Sequence, residues 1–315
     1  MSPEAEVELA CEDLGPALEI LRELGLRLDV IYPADDPNTA VLSRGRTKVR
    51  LTTSPGALRP GAEPARFEPE FVLTRANSTA GEGRAGMIYR DLIPGRLGGR
   101  YVASHITMPT GGPVSDWVHY HRVEFQMIYV RSGWVRVVYE DQGEPFVMNA
   151  GDLVLQPPGI RHRVLESSPG LEVIEIGSPA LHETFAEHEL ELPNGLGDAD
   201  RSWSGQRFLL HRAASGEWTP FLDGEAIETG MHLATRGIAQ VRTVRPSASA
   251  IIPFPPNGGE LVFGFVLEGC ARLDRRQGFT LAAGDCFVIP PHEPWSLGGM
   301  SDDFRLLHVT TGVLG

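Results

Sequence analysis

Two stretches decide how this chain is read: Trp117-Val-His-Tyr-His-Arg-Val-Glu-Phe-Gln-Met-Ile-Tyr-Val-Arg-Ser-Gly133, and Gly151-Asp-Leu-Val-Leu-Gln-Pro-Pro-Gly-Ile-Arg-His162. Side chains two apart on a strand leave the same face, so His119 and His121 point together and can grip one metal ion. In the second stretch, Gly151, Pro157 and Gly159 supply turns that aim His162 back toward that pair. Three imidazoles from two strands are thereby offered to one point.

Outward from these segments the texture is uniform. From about residue 87 the chain is a succession of short alternating runs with turns roughly every eight to twelve residues, the pattern of an antiparallel sandwich or barrel. Residues 101–107, 125–130, 134–140, 153–156 and 171–176 are strand candidates. An irregular connector covers residues 190–204, and the same pattern resumes at Gln206 and runs to the end. Two β domains are expected.

The two stretches resemble the paired signature motifs of the cupin superfamily. The first is H-x-H, four residues, an acidic or amide side chain, six residues and Gly; the second is G-x5-P-x-G-x2-H. The matching positions are His119, His121, Gln126 and Gly133, then Gly151, Pro157, Gly159 and His162. The resemblance implies a mainly β chain of two jelly-roll barrels in tandem. It also implies one divalent transition metal on His119, His121 and His162, with Gln126 as a weak oxygen ligand or a hydrogen bonder to metal-bound water. Gln126 stands where the family usually has Glu, and Glu124 is the alternative if the strand carries a bulge. Affinity order does not choose among Fe(II), Mn(II), Ni(II), Cu(II) and Zn(II). Similar three-histidine cupins bind Fe(II) and insert both oxygen atoms into chelating substrates, so the first expectation is an Fe(II) dioxygenase of a small, anionic, chelating substrate. A redox-neutral isomerase or lyase and a non-catalytic binding protein are the alternatives.

Beyond the metal set, Gln126, His105 and Tyr129 are candidate catalytic or substrate-contacting residues, with Arg161 and Arg163 as anion clamps. Strand alternation around His162 argues that the two arginines face away from it. A weaker repeat of both motifs follows: Gly259 to Gly269, then Gly284 to Trp295. Counting back from Gly269 places Pro255, Asn257 and Val262 where His119, His121 and Gln126 stand, and Trp295 where His162 stands. The second barrel is therefore expected to be metal-free. Glu260 aligns with Glu124, which points to a fold role for both.

The first residues differ. A strand, a helix with Leu14, Ala17, Leu18, Leu21 and Leu24 on one face, and three further strands give the order βαβββ, with Gly25 ending the helix. Leu24-Gly-Leu-Arg-Leu-Asp29 and Pro33-Ala-Asp-Asp-Pro37 resemble one module of the glyoxalase and bleomycin-resistance (vicinal oxygen chelate) superfamily, whose members pair two such modules. A lone module suggests packing on the rest of the chain or a homodimer; without a His or Glu in its last strand it is read as structural or dimerising. The expected division is residues 1–54 for this module, 55–83 for a linker with an edge strand at 67–73, 84–190 for the metal-binding barrel and 191–315 for the second.

Composition agrees. Among 315 residues, 36 Gly and 25 Pro are far too many for a long helical bundle. Lys and Arg number 28 against 41 Asp and Glu, a net charge of -13 that disfavours nucleic acid and anionic membrane surfaces as partners. No apolar run reaches the roughly 20 residues of a membrane span, and Met1-Ser-Pro-Glu-Ala-Glu6 does not read as a secretion signal, so a cytoplasmic location is expected. Cys11, Cys270 and Cys286, scattered and odd in number, read as reduced core thiols.

Overall fold

Alternation of apolar and polar residues carries nearly half of the described residues into strands. A computed structural model describes residues 5–53, 66–83, 86–198, 201–247 and 251–312. The order βαβββ is present at the start: Ala5–Ala10, a helix Leu14–Glu23 capped by Asp13, then Arg27–Tyr32, Thr39–Arg44 and Thr47–Thr52. Leu14, with Ala17, Leu18 and Leu21, packs the helix against Leu28, Leu42 and Leu51. It is the edge of this sheet, rather than its open face, that joins the rest of the molecule. Arg27–Tyr32 pairs with Thr184–Ala186, which pairs in turn with His119–His121. One sheet then continues through His162–Ser167 and Trp134–Tyr139 to Phe146–Asn149.

Facing that sheet is a second one, in which Phe125–Ser132 lies between Leu153–Leu155 and Leu171–Ser178, and Leu171–Ser178 is followed by Val102–Met108. Ile106, Met108, Val135, Val137 and Val173 line the space between them. The second barrel repeats the plan. Leu261–Glu268 lies between Cys286–Val288 and Arg305–Thr311, opposite a sheet of Ile251–Phe254, Trp295–Gly298, Cys270–Asp274 and Gly278–Ala282. Gly133 and Gly269 mark equivalent turns, with φ of +75° and +71°. A Cβ would come within 2.3 Å of Ser168 Oγ in the first and 2.4 Å of Ser301 Oγ in the second, so both positions require glycine.

The barrels exchange strands. Val72–Thr74, from the segment before the first barrel, pairs with Cys286–Val288 of the second; Leu209–His211, from the segment before the second, pairs with Leu153–Leu155 of the first. A buried aspartate latches each exchange. Asp152 accepts from Ala213 N at 2.9 Å and Arg212 Nη1 at 2.8 Å, and Asp285 accepts from Ala76 N and Arg75 Nη1, both at 2.8 Å. Between the barrels, Phe125, Met127 and Tyr129 meet Phe263 and Phe265 in a common core. The acids Glu124 and Glu260 also meet across the barrels: Arg100 lies 3.2 Å from Glu124 Oε2 and donates to Glu260 Oε2 at 2.8 Å.

Register corrects the sequence alignment of the second barrel. His119 pairs with His162, and the corresponding pair is Phe254 with Trp295, so Phe254, not Pro255, stands in the place of His119. The two rings stack at 3.8 Å and 8°, filling the space where the first barrel presents imidazoles. His308 is buried beside them, and burial together with Arg242 pushes its imidazole down to about 3. Of the cysteines, Cys286 is buried, Cys11 half-buried and Cys270 exposed, so the expectation of three core thiols holds only for Cys286. No helix among the described residues is long and apolar enough to cross a membrane.

Candidate metal centre

His119, His121 and His162 converge, one ring nitrogen of each lying within 4.8 Å of the others. Ring centroids are 4.3 Å apart for His119 and His162, and 5.1 and 5.2 Å for His121 to each. The second nitrogen of every ring is engaged elsewhere. His119 Nδ1–H donates to Trp117 O at 2.7 Å and His162 Nδ1–H to Ile160 O at 3.1 Å, which directs Nε2 of both rings to the centre. His121 Nδ1 shares a hydrogen bond of 3.0 Å with Thr184 Oγ1. Such partners fix ring orientation and raise ligand basicity.

The local sequence explains the placement. Alternation puts His119 and His121 on the inner face of their short strand, and Trp117 behind His119 packs on the core of the βαβββ unit. Across the barrel, Gln126 Nε2–H donates to Glu175 Oε1 at 2.6 Å. Gln126 is 1% exposed, and its Oε1 has no hydrogen-bond partner. Three anchored imidazoles, with an unpartnered amide oxygen on a residue of the same cavity wall, are a donor set that suits a divalent transition metal.

These residues open on a cavity of about 120 Å³. Its walls are mainly apolar, with Met108, Ile128, Val137 and Val173 among them, and Glu175 is the one carboxylate that the described residues place in it. Among the described residues no Arg or Lys lines it, contrary to the expectation of an anion clamp. Arg161 points away as alternation requires: its Nε donates to Glu187 Oε2 at 3.0 Å and its guanidinium lies 4.6 Å from the Tyr120 ring. Arg163, also directed outward, is absent from the lining, whereas its neighbours His162 and Val164 are present.

Glu187 shows how firmly that outer layer is held. Burial acts to raise its carboxyl, but the N–H groups of Glu189 and Leu190 and the Arg161 guanidinium outweigh it and hold the group at about 2. A depressed carboxylate stabilises the fold fully above its ordinary value near 4.5 and loses that contribution as pH falls toward 2. Glu187→Gln is expected to lower the urea midpoint at pH 7, and the gap to the unaltered protein should close as pH falls from about 4.5 to 2. A gap independent of pH would contradict this.

Two expected site residues lie elsewhere. His105 leaves the opposite face of its strand, toward the second barrel; its Nε2 pairs with Glu172 at 2.7 Å and its ring lies 5.9 Å from Phe265. Burial and Arg90 hold it below the usual imidazole range. Tyr129 is out of phase with Gln126 and also faces the second barrel, hydrogen-bonded to Thr243, with burial pushing its hydroxyl up to about 12. Glu124 is turned to Arg100 rather than to the histidines. Sequence reasoning missed Glu175, Thr184 and the pair Gln156 and Tyr139, joined at 2.9 Å beside His162. Parity was the available signal for Glu175, since it lies in phase with the cavity residues Leu171 and Val173.

Residues 104–176 match the family model of the cupin domain. No curated protein matches the chain. Among solved structures, a Pseudomonas aeruginosa protein described as glyoxylate-induced aligns at TM-score 0.57 and 14% identity over 80% of this chain and 94% of its own. The Escherichia coli protein Ylba aligns at 0.54 and 14%, over 79% and 94% of the two chains. A single-residue variant of Bacillus subtilis oxalate decarboxylase aligns at 0.56 and 15%, over 81% of each. At these identities the likeness is one of fold, and that fold is mainly β with cupin jelly-roll barrels.

Proposed function

We propose that the cupin barrel of residues 104–176 is the centre of a metal-dependent enzyme, reading first as an Fe(II) dioxygenase of a small chelating substrate. The convergence of three imidazoles, each anchored at Nδ1, on one apolar cavity carries this reading. His119, His121 and His162 would hold the metal, with Gln126 Oε1 completing or bordering the shell. A divalent ion there would supply Lewis acidity and, as Fe(II), a binding place for dioxygen.

The protein supplies orientation and dryness. Met108, Ile128, Val137 and Val173 would hold the hydrocarbon body of a substrate and exclude bulk water. Gln156 and Tyr139 place polar groups beside His162, where Gln156 Nε2–H already donates to the Tyr139 hydroxyl. With no cationic side chain in the lining among the described residues, the geometry favours a small, largely apolar molecule with one chelating oxygen end over a free polyanion. The cavity volume of about 120 Å³ sets a small size for it. The βαβββ unit, read as glyoxalase-like, serves the barrel as a scaffold through Thr184, with association into a homodimer a further role.

Metal analysis of the purified protein, followed by oxygen uptake of the Fe(II)-loaded form against catechols, thiols and 2-oxo acids, tests the reading. Bound iron near one per chain and substrate-dependent oxygen uptake are expected. Zn(II), Mn(II) or Ni(II) with turnover but no uptake would replace it with an isomerase or lyase. Metal without any turnover would leave a binding protein.

A further inference from the structure

We propose that Glu175 is the positioning residue of the fourth ligand place: it turns the Gln126 amide so that Oε1 faces the metal, and it gives the centre its negative charge. The inference rests on the metal reading of the barrel and goes one layer beyond its ligands.

An amide side chain can present either its oxygen or its NH2 group to a cavity, and only the oxygen can serve a cation. A carboxylate oxygen accepts and does not donate, so Glu175 Oε1, 2.6 Å from Gln126 Nε2, selects the NH2 side for itself. The amide oxygen is thereby left on the other side, buried and unpartnered, on a residue that lines the same cavity as the three imidazoles. Three neutral imidazoles and an amide bring no charge to a divalent ion. Glu175, the one carboxylate in the lining, sits one hydrogen bond from the ligand oxygen, where it also makes that oxygen a better donor. Together Gln126 and Glu175 do the two jobs of a single ligating carboxylate, one residue giving the contact and the other the charge.

The second barrel provides an internal comparison. Glu175 pairs across the sheet with Ile128, and the corresponding pair is His308 with Gly264. Where Phe254 and Trp295 replace the ligands, the place of Glu175 also holds no carboxylate. A carboxyl kept for barrel architecture alone would serve both barrels equally.

Co(II) is the probe, titrated into the full chain against a chelator while its visible bands are followed. Wild type is expected to bind it. Glu175→Leu should weaken binding by about ten- to a hundredfold and change the bands, and Glu175→Gln, which keeps an acceptor oxygen but no charge, by about tenfold. In the Gln126→Leu background the Glu175→Leu change should weaken binding less than it does in wild type, because the positioning part of its effect passes through the amide and only the charge remains to be lost. Wild-type affinity and bands in both Glu175 variants, or effects that simply add, would overturn the proposal while leaving the metal centre intact. Should Glu175→Leu not fold, the near-isosteric Glu175→Gln decides. Failure of wild type to bind Co(II) would overturn the metal reading itself, and this proposal with it.

Discussion

His119→Ala is expected to abolish metal binding by the chain and any turnover that depends on it. His119 is the central member of the cluster, 2% exposed, 4.3 Å ring to ring from His162, and locked by Trp117 O with Asp116 Oδ1 at 3.5 Å behind. Losing an outer hydrogen bond to a ligand weakens metal sites by about ten- to a hundredfold, so losing the ligand itself should exceed about a hundredfold. Equilibrium dialysis with Fe(II) or Co(II), run beside a Phe254→Leu control in the other barrel, checks it. Equal metal uptake by His119→Ala and wild type would show that the imidazole cluster is not the site.

The second large effect is on stability. Asp285→Ala removes an acceptor shared by Ala76 N, Ala282 N and Arg75 Nη1, all at the point where Val72–Thr74 is latched onto the second barrel. Arg75 is half exposed and recovers water, so the cost comes from the two backbone donors, about 2–4 kcal/mol in all. Asp152→Ala should cost a similar amount, because its partners at Asn149, Arg212 and Ala213 repeat the arrangement. Urea unfolding measures both. Asp274→Ala breaks an exposed pair with Arg272 and should stay within about 0.5 kcal/mol. If Asp285→Ala is no more harmful than Asp274→Ala, the latch contributes nothing.

These latches also mark what a sequence can and cannot disclose. His119 and His121 were legible because strand alternation is local, and His162 because Gly151, Pro157 and Gly159 fix the turns before it. The helix at residues 14–23 was legible from its apolar face. Which barrel receives Val72–Thr74 was not legible, because its partner lies more than two hundred residues away and no local pattern names it. Tyr129 and His105 failed for one reason. Both strands are buried on two faces, Phe125, Met127 and Tyr129 toward the other barrel and Ile128 and Val130 inward, so alternation gives the phase without saying which face holds the cavity. The misplacement of Pro255 has another cause: the loop between Phe254 and Leu261 differs by one residue from its counterpart, and counting back from Gly269 cannot detect that.

One sheet runs unbroken from the first fifty residues into the barrel. Thr184–Ala186 is only three residues long and has both edges hydrogen-bonded, to Arg27–Tyr32 on one side and to His119–His121 on the other. A strand that short has little intrinsic persistence, and it holds its place only while both neighbours do. Opening the βαβββ unit would therefore loosen the hydroxyl that hydrogen-bonds His121, and by linkage an ion seated on His121 would tighten a strand junction whose far edge lies away from the cavity. For such an ion, occupancy and folding of the amino-terminal segment would be two readings of one equilibrium.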